Sequence, residues 1–94
     1  MRVCVRAFAT LAGLTGGGRV ELELPDGSTV RDALLALAER HGRALADALF
    51  DREGGLARGV KVFLNGRDID FLSGLDTRLS DGDEISIFPP VGGG

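Results

Sequence analysis

Residues 19–42 read RVELELPDGSTVRDALLALAERHG, and the apolar pattern changes period in the middle of the passage. From Arg19 to Leu24 it alternates: Val20, Leu22 and Leu24 fall on one side, Arg19, Glu21 and Glu23 on the other. A period of two is the signature of a strand with one buried face. Pro25-Asp26-Gly27 supplies turn chemistry. Thr29 then offers a hydroxyl to cap a helix, and Asp32 stands at the reciprocal position of a capping box. Beyond it, Val30, Ala33, Leu34, Leu37 and Ala38 recur at the spacing of one helical face. Gly42 stops the pattern, since glycine accepts the left-handed conformation in which helices commonly end. The passage therefore predicts a strand, a turn and a helix whose apolar stripe needs a sheet to cover.

Working outward, residues 2–8 alternate in the same way, with Val3, Val5 and Ala7 opposite Cys4, Arg6 and Phe8. Residues 11–18 read as a loop closed by Gly16-Gly17-Gly18, so the two alternating runs form an N-terminal hairpin. Past the helix, Leu45 and Leu49 lie one turn apart in a second short helix over residues 43–50. Residues 51–59, with Gly54-Gly55, read as an irregular surface loop. Residues 60–64 make a third strand, Asn65-Gly66 a tight turn, and residues 67–69 a short return strand. Residues 71–79 are weakly patterned, with Leu72, Leu75 and Leu79 as core anchors. After the turn Ser80-Asp81-Gly82-Asp83, residues 84–88 form the last strand, with Ile85 and Ile87 inward. Pro89-Pro90 ends it, because proline donates no ladder hydrogen bond. This order predicts an α+β fold of the β-grasp type: a mixed sheet of four to five strands with one main helix on one face. The first and last strands run parallel at its centre. Residues 1–90 are expected to form the domain and residues 91–94 a flexible glycine tail.

Composition narrows the chemistry. A chain of 94 residues fits one domain, and 44% hydrophobic with 27% charged residues suits a globular protein. A net charge of −3 offers no basic field for phosphate backbones, so nucleic acid is not an expected partner. No apolar run reaches the ~18–20 residues that span a bilayer, and no signal-peptide hydrophobic region is recognised, which points to a cytoplasmic protein without a membrane partner. A single cysteine, Cys4, allows neither an internal disulfide nor a metal cluster, and an iron–sulfur role is excluded because such clusters need about four ligands. Cys4 reads as a small strand side chain, and His41 as a cation suited to a helix C-terminus. The chain has few parts for acid–base or metal catalysis of its own.

After Pro90 the sequence runs Val91-Gly92-Gly93-Gly94. Most glycine tails are simply disordered. This one follows a core strand without a linker, and the Pro-Pro step is expected to project it stiffly from the body. Glycines leave the carboxylate of Gly94 unobstructed and let the chain thread a narrow tunnel in another enzyme. If Val5 and Ala7 face the helix, Phe8 faces away from it, and Phe88 likewise turns outward from Ile85 and Ile87. With their strands parallel and adjacent, both aromatics lie at the tail end of one open sheet face. An exposed aromatic pair is a partner interface unless residues 51–59 or Phe71 cover it. Lys61 is the only lysine beside ten arginines, which reads first as a compositional bias toward arginine and leans only mildly toward a carrier over a tag that polymerises on itself.

The stretch Asp81-Gly82-Asp83-Glu84-Ile85-Ser86-Ile87-Phe88-Pro89-Pro90-Val91-Gly92-Gly93-Gly94 resembles the C-terminus of the molybdopterin synthase small subunit (MoaD-like) family of ubiquitin-like sulfur carriers. The family pattern is a D-G-D-E turn, an apolar strand, F-P-P-V, one variable residue and a final Gly-Gly. Leu64-Asn65-Gly66 and the first strand extend the resemblance over the whole fold, and an extra segment around residues 44–59 resembles the longer branch of the family. The resemblance implies that Gly94 is adenylated and then thiocarboxylated. It also implies that Gly93, Gly92, Val91, Pro90 and Pro89 enter the partner's tunnel, and that Phe88 and Phe8 belong to the partner interface.

No cofactor is expected to be bound stably; ATP and Mg²⁺ belong to an activating partner, a ubiquitin-activating-like (MoeB/ThiF-like) adenylyltransferase. Further implied partners are a rhodanese-type or cysteine-desulfurase sulfur donor and the large (MoaE-like) subunit of molybdopterin synthase. The leading expectation is thus the sulfur-donating small subunit of that synthase, in molybdenum cofactor biosynthesis. The alternatives are sulfur delivery to cysteine, tRNA or thiamine thiazole, a ubiquitin-like modifier joined to lysines, and a binding module whose tail is idle.

Overall fold

The computed structural model describes residues 1–91; Gly92, Gly93 and Gly94, on which the expectation of a flexible tail falls, lie outside the described residues. The elements run β1 (Arg2–Ala7), α1 (Thr10–Leu14), β2 (Arg19–Glu23), α2 (Val30–His41), α3 (Arg43–Leu49), β3 (Lys61–Leu64), β4 (Arg67–Asp68) and β5 (Glu84–Phe88). Two single-turn 3-10 helices, Ile69–Phe71 and Gly74–Asp76, lie between β4 and β5. The sheet has five strands in the order β2-β1-β5-β3-β4. β1 and β5 pair in parallel at its centre, and the other pairs are antiparallel. This is the β-grasp arrangement expected from the element order.

Periodicity accounts for the packing. Val3, Val5 and Ala7 from β1, with Ile85 and Ile87 from β5, are buried beneath α2 and α3. On α2 the buried residues are Val30, Ala33, Leu34, Leu37 and Ala38, the stripe foreseen from spacing. The helix begins with a full capping box: Thr29 Oγ1 accepts from the Asp32 N–H at 3.3 Å, and Asp32 Oδ2 accepts from the Thr29 N–H at 2.9 Å. At the other end the Gly42 N–H donates to Ala38 at 2.8 Å, and Gly42 adopts φ 105° before α3 starts. Asn65 and Gly66 take left-handed φ values of 49° and 84°, as a tight I′ hairpin turn requires. Among the described residues no helix is long and apolar enough to cross a membrane.

Two expected loops turn out to be built differently. Residues 11–18, read as a loop, hold most of α1, because Leu11 inserts into the core and is only 2% exposed. A helix of five residues has no propensity to stand alone, so tertiary packing decides it, and the one helical spacing it offers, Leu11 to Leu14, is too short a period to read. Residues 51–59, read as irregular, are stitched at several points. Phe50 and Leu56 form an antiparallel bridge, the Asp51 carboxylate accepts from the N–H groups of Glu53 and Gly55 at 2.9 Å, and Arg31 donates to the Gly54 carbonyl at 2.7 Å. In the weakly patterned stretch, Leu79 is buried, whereas Leu72 and Leu75 pack against the core only partly.

Candidate functional site

The face of the sheet turned away from α2 is where the sequence placed a partner. Register fixes its occupants. Cys4 lies opposite Glu21 on one side and Glu84 on the other, Arg6 opposite Arg19 and Ser86, Lys61 opposite Phe88, and Phe63 opposite Ser86 and Asp68. All of them stand out of phase with the buried Val5, Ile87, Val62 and Leu64. Phe8 continues the line beyond β1, its N–H donating to Ile87 at 3.1 Å.

At the tail end of this face three aromatic rings meet. Phe8 and Phe88 stack with centroids 4.5 Å apart and planes 11° from parallel. Phe63 meets Phe88 edge-on at 5.6 Å. Both are favourable aromatic geometries. The rings stay half-buried, and Phe71, one of the possible covers, is itself 87% exposed. Phe63 was missed in the sequence, although its alternation with Val62 and Leu64 turns it outward; the missing fact was that β3 lies beside β5.

Charged groups rim the cluster. The Arg6 guanidinium sits 5.2 Å from the Phe8 centroid and 3.8 Å from Glu84. On the opposite side Lys61 Nζ contacts Asp68 at 2.9 Å and Asp70 at 3.0 Å. The hydrogen bond to Asp68, and then that to Asp70, raises the Lys61 pKa above its ordinary value. Lys61, followed by the Asp70 N–H, holds the Asp68 carboxyl below its own. The only lysine is therefore a paired cation beside the root of the tail.

The acidic residues of the D-G-D-E turn have a structural use. Asp81 accepts from the Arg2 N–H at 2.7 Å, and Asp83 accepts from the Ser80 N–H at 2.7 Å and from the Asn65 side-chain amide at 2.9 Å. Asn65 Oδ1 in turn accepts from the Glu84 N–H at 2.9 Å. These bonds tie the two turns to each other and to the start of β1, and so fix where β5 begins. From Phe88 the chain leaves through half-buried Pro89 and exposed Pro90 to Val91, which is 95% exposed. The expected projection from the body begins only past Pro90, which rests against Gly59. Gly92 and Gly93, expected as tunnel residues, and Gly94, expected as the reactive residue, lie outside the described residues.

Elsewhere the parts for catalysis are sparse. Cys4 is a half-exposed strand residue, and His41 closes α2 with its Nε2 buried and unpartnered among the described residues. Among the described residues no group of three or more His, Cys, Asp and Glu is placed to hold a metal ion.

A family model described as the ThiS family matches residues 5–94, from within β1 to the final glycines. The chain belongs to the ThiS family. It is thus a member of the ThiS/MoaD-like, ubiquitin-like sulfur carriers. This ThiS-family chain is 40% identical over 95 aligned positions to small archaeal modifier protein 3 of Haloferax volcanii, with 100% of both chains covered. Its fold matches the crystal structure of SAMP1 from Haloferax volcanii with a TM-score of 0.87, at 34% identity and with 100% of both chains covered. It also matches the crystal structure of a BexX/CysO complex from Amycolatopsis orientalis with a TM-score of 0.78, at 34% identity, covering 98% of this chain and 99% of that one. The relatives thus include modifier proteins and a carrier seen together with another protein.

Proposed function

We propose that Gly94 is the working residue of this carrier. An adenylyltransferase partner using ATP and Mg²⁺ joins the Gly94 carboxylate to AMP and releases pyrophosphate. Hydrosulfide, supplied by a sulfur donor enzyme, attacks the acyl carbon; the C–S bond forms, the C–O bond to AMP breaks, and AMP leaves. The product is a terminal thiocarboxylate, ionised after loss of its proton. The observation that supports this reading best is the aromatic cluster Phe8–Phe88–Phe63, which sits at the root of the segment leading to Gly94. A partner seated on that face takes hold of the body within a few residues of the reactive end. Such half-buried aromatics are the usual anchors of protein interfaces.

The C-terminal motif supports the pterin precursor of the molybdenum cofactor as sulfur acceptor, with this chain as the small subunit of a molybdopterin synthase. Transfer to other small molecules, as for cysteine, draws support from the likeness to the CysO chain. A second reading, conjugation to protein lysines, is favoured by the full-length identity to small archaeal modifier protein 3. Here the lysine amine attacks the same adenylate, AMP leaves, and an isopeptide bond forms. One experiment separates them. The thiocarboxylated chain is given to its host's synthase large subunit with the pterin precursor, and host extracts are searched in parallel for peptides carrying Gly94 on lysine. Dithiolene formation without conjugates supports the synthase subunit, whereas Gly94-linked conjugates without dithiolene support the modifier.

A further inference from the structure

The segment between α3 and β3 is the part of the molecule that the proposed chemistry leaves without a role. Its stitching makes it a rigid piece: besides the Phe50–Leu56 bridge and the Asp51 bonds, the Ala57 N–H donates to Leu49 at 2.8 Å and the Val60 N–H to Ala57 at 3.1 Å. Leu56 and Ala57 pack against the core and Val60 is buried within it, so the segment is anchored at its far end as well. Between these anchors stands Gly59, with φ 83° in the left-handed region. Its α-carbon faces the ring of Pro90. A methyl group at residue 59 would lie 2.9 Å from Pro90 Cβ, 3.2 Å from Cγ and 3.4 Å from Cα. Two independent constraints, the backbone angle and the close approach, therefore require glycine here.

We propose that residues 50–60 form a strut that aims the tail, with Gly59 as a positioning residue for the reaction at Gly94. The proline rings at residues 89 and 90 already fix two φ angles. What the prolines leave free is rotation about ψ; that of Pro89 swings the Pro90 ring and with it the point from which Val91 departs, and the ring resting on the Gly59 backbone limits that rotation from outside. The strut lies at the tail end of β5 and not on the residues of the aromatic face, so it directs the tail while a partner holds the body. The role rests on the reading of Gly94 as the reactive residue. Gly59 itself touches no reacting atom; its effect is on the fraction of carriers whose tail leaves in the productive direction.

The test uses the full chain and its adenylyltransferase, following pyrophosphate release, with the Gly59→Ala, Pro90→Gly and doubly substituted proteins compared with wild type. Because the body still binds through the aromatic face, Gly59→Ala should lower kcat by on the order of tenfold, about 1.4 kcal/mol, and leave KM within twofold. The double variant should be no slower than the slower single one, since both remove the same contact. Nuclear Overhauser contacts between the Gly59 α-protons and the Pro90 ring protons should be present in free wild type, and the Val91 amide should be less ordered in either variant. Pro90→Gly keeps the test decisive if Gly59→Ala fails to fold. Folded variants with wild-type kcat, additive losses, or no Gly59–Pro90 contact in solution each overturn the strut while leaving Gly94 chemistry intact. Wild type that releases no pyrophosphate overturns the Gly94 reading and the strut's role together, even with the contact present.

Discussion

The two faces of the central strands β1 and β5 are made from the same residues in alternation, and they are built to different ends. On one side Val3, Val5, Ile85 and Ile87 are fully covered by the helices, and nothing polar interrupts them. On the other, Arg6, Phe8, Glu84 and Phe88 are held by a ring stack, a cation over a ring and an exposed ion pair. The first face gains stability from burial, at about 25 cal/mol per Å² of apolar surface. The second leaves three half-buried aromatics in water, an arrangement that folding alone does not require. A period of two lets one strand serve the core and a partner at once, and the difference should be visible as a separation of stability from binding.

The largest effect should come from the buried side. Leu34→Ala removes a side chain with no exposure from under the sheet and should cost ~2–5 kcal/mol in denaturant unfolding. Binding to the activating partner should stay within twofold for the fraction that remains folded. A parallel loss of affinity would break the separation. Phe88→Ala should do the reverse. Partner affinity, measured by calorimetry, should fall by on the order of 30-fold, about 2 kcal/mol, with less than half that loss in stability. Equal losses would mean that the cluster belongs to the core.

Smaller effects sharpen the contrast. Thr29→Ala removes the capping box of α2 on the core side and should cost ~1 kcal/mol of stability with no change in binding, read from the same two measurements. At the rim of the open face, Asp68→Asn should bring the Lys61 pKa down and speed acylation of its amine by a soluble active ester, followed by peptide mass spectrometry. Stability should move little, because the Lys61 end of the pair is open to water, which screens the charge. The pH dependence has a definite sign. Since the Asp68 carboxyl is held below its ordinary value of 3.8, the pair is intact at neutral pH and is lost as pH falls below that value toward the lowered one. On the alkaline side it persists until pH rises through the raised Lys61 value, above the ordinary 10.5.

Much of this was legible wherever physics repeats along the chain. Alternation over residues 2–8 and 84–88 put Phe8 and Phe88 on one face, and the spacing after Thr29 gave both the stripe and the cap of α2. What stayed hidden depended on single contacts between distant segments. In α1 only Leu11 is fully buried, with Leu14 packing partly one turn on, so a single spacing is all that betrays the helix. Phe63 joins the cluster only because β3 pairs with β5, a register that no local pattern states. The ordering of residues 51–59 rests on Asp51 collecting N–H groups from Glu53 and Gly55, a short-range bond that an Asp followed by Gly-Gly can suggest. The meeting of Gly59 with Pro90 has no signal in the sequence at all.

The central claim is that Gly94 carries the chemistry, and the intact mass of the protein tests it most directly. The chain is incubated with its host's adenylyltransferase, ATP, Mg²⁺ and sulfide, beside a version lacking Gly94 and a known carrier as control. A mass gain equal to the replacement of one oxygen by sulfur, absent when Gly94 is removed, is the predicted result. An unchanged mass while the control carrier is converted, or a gain that persists without Gly94, would contradict it.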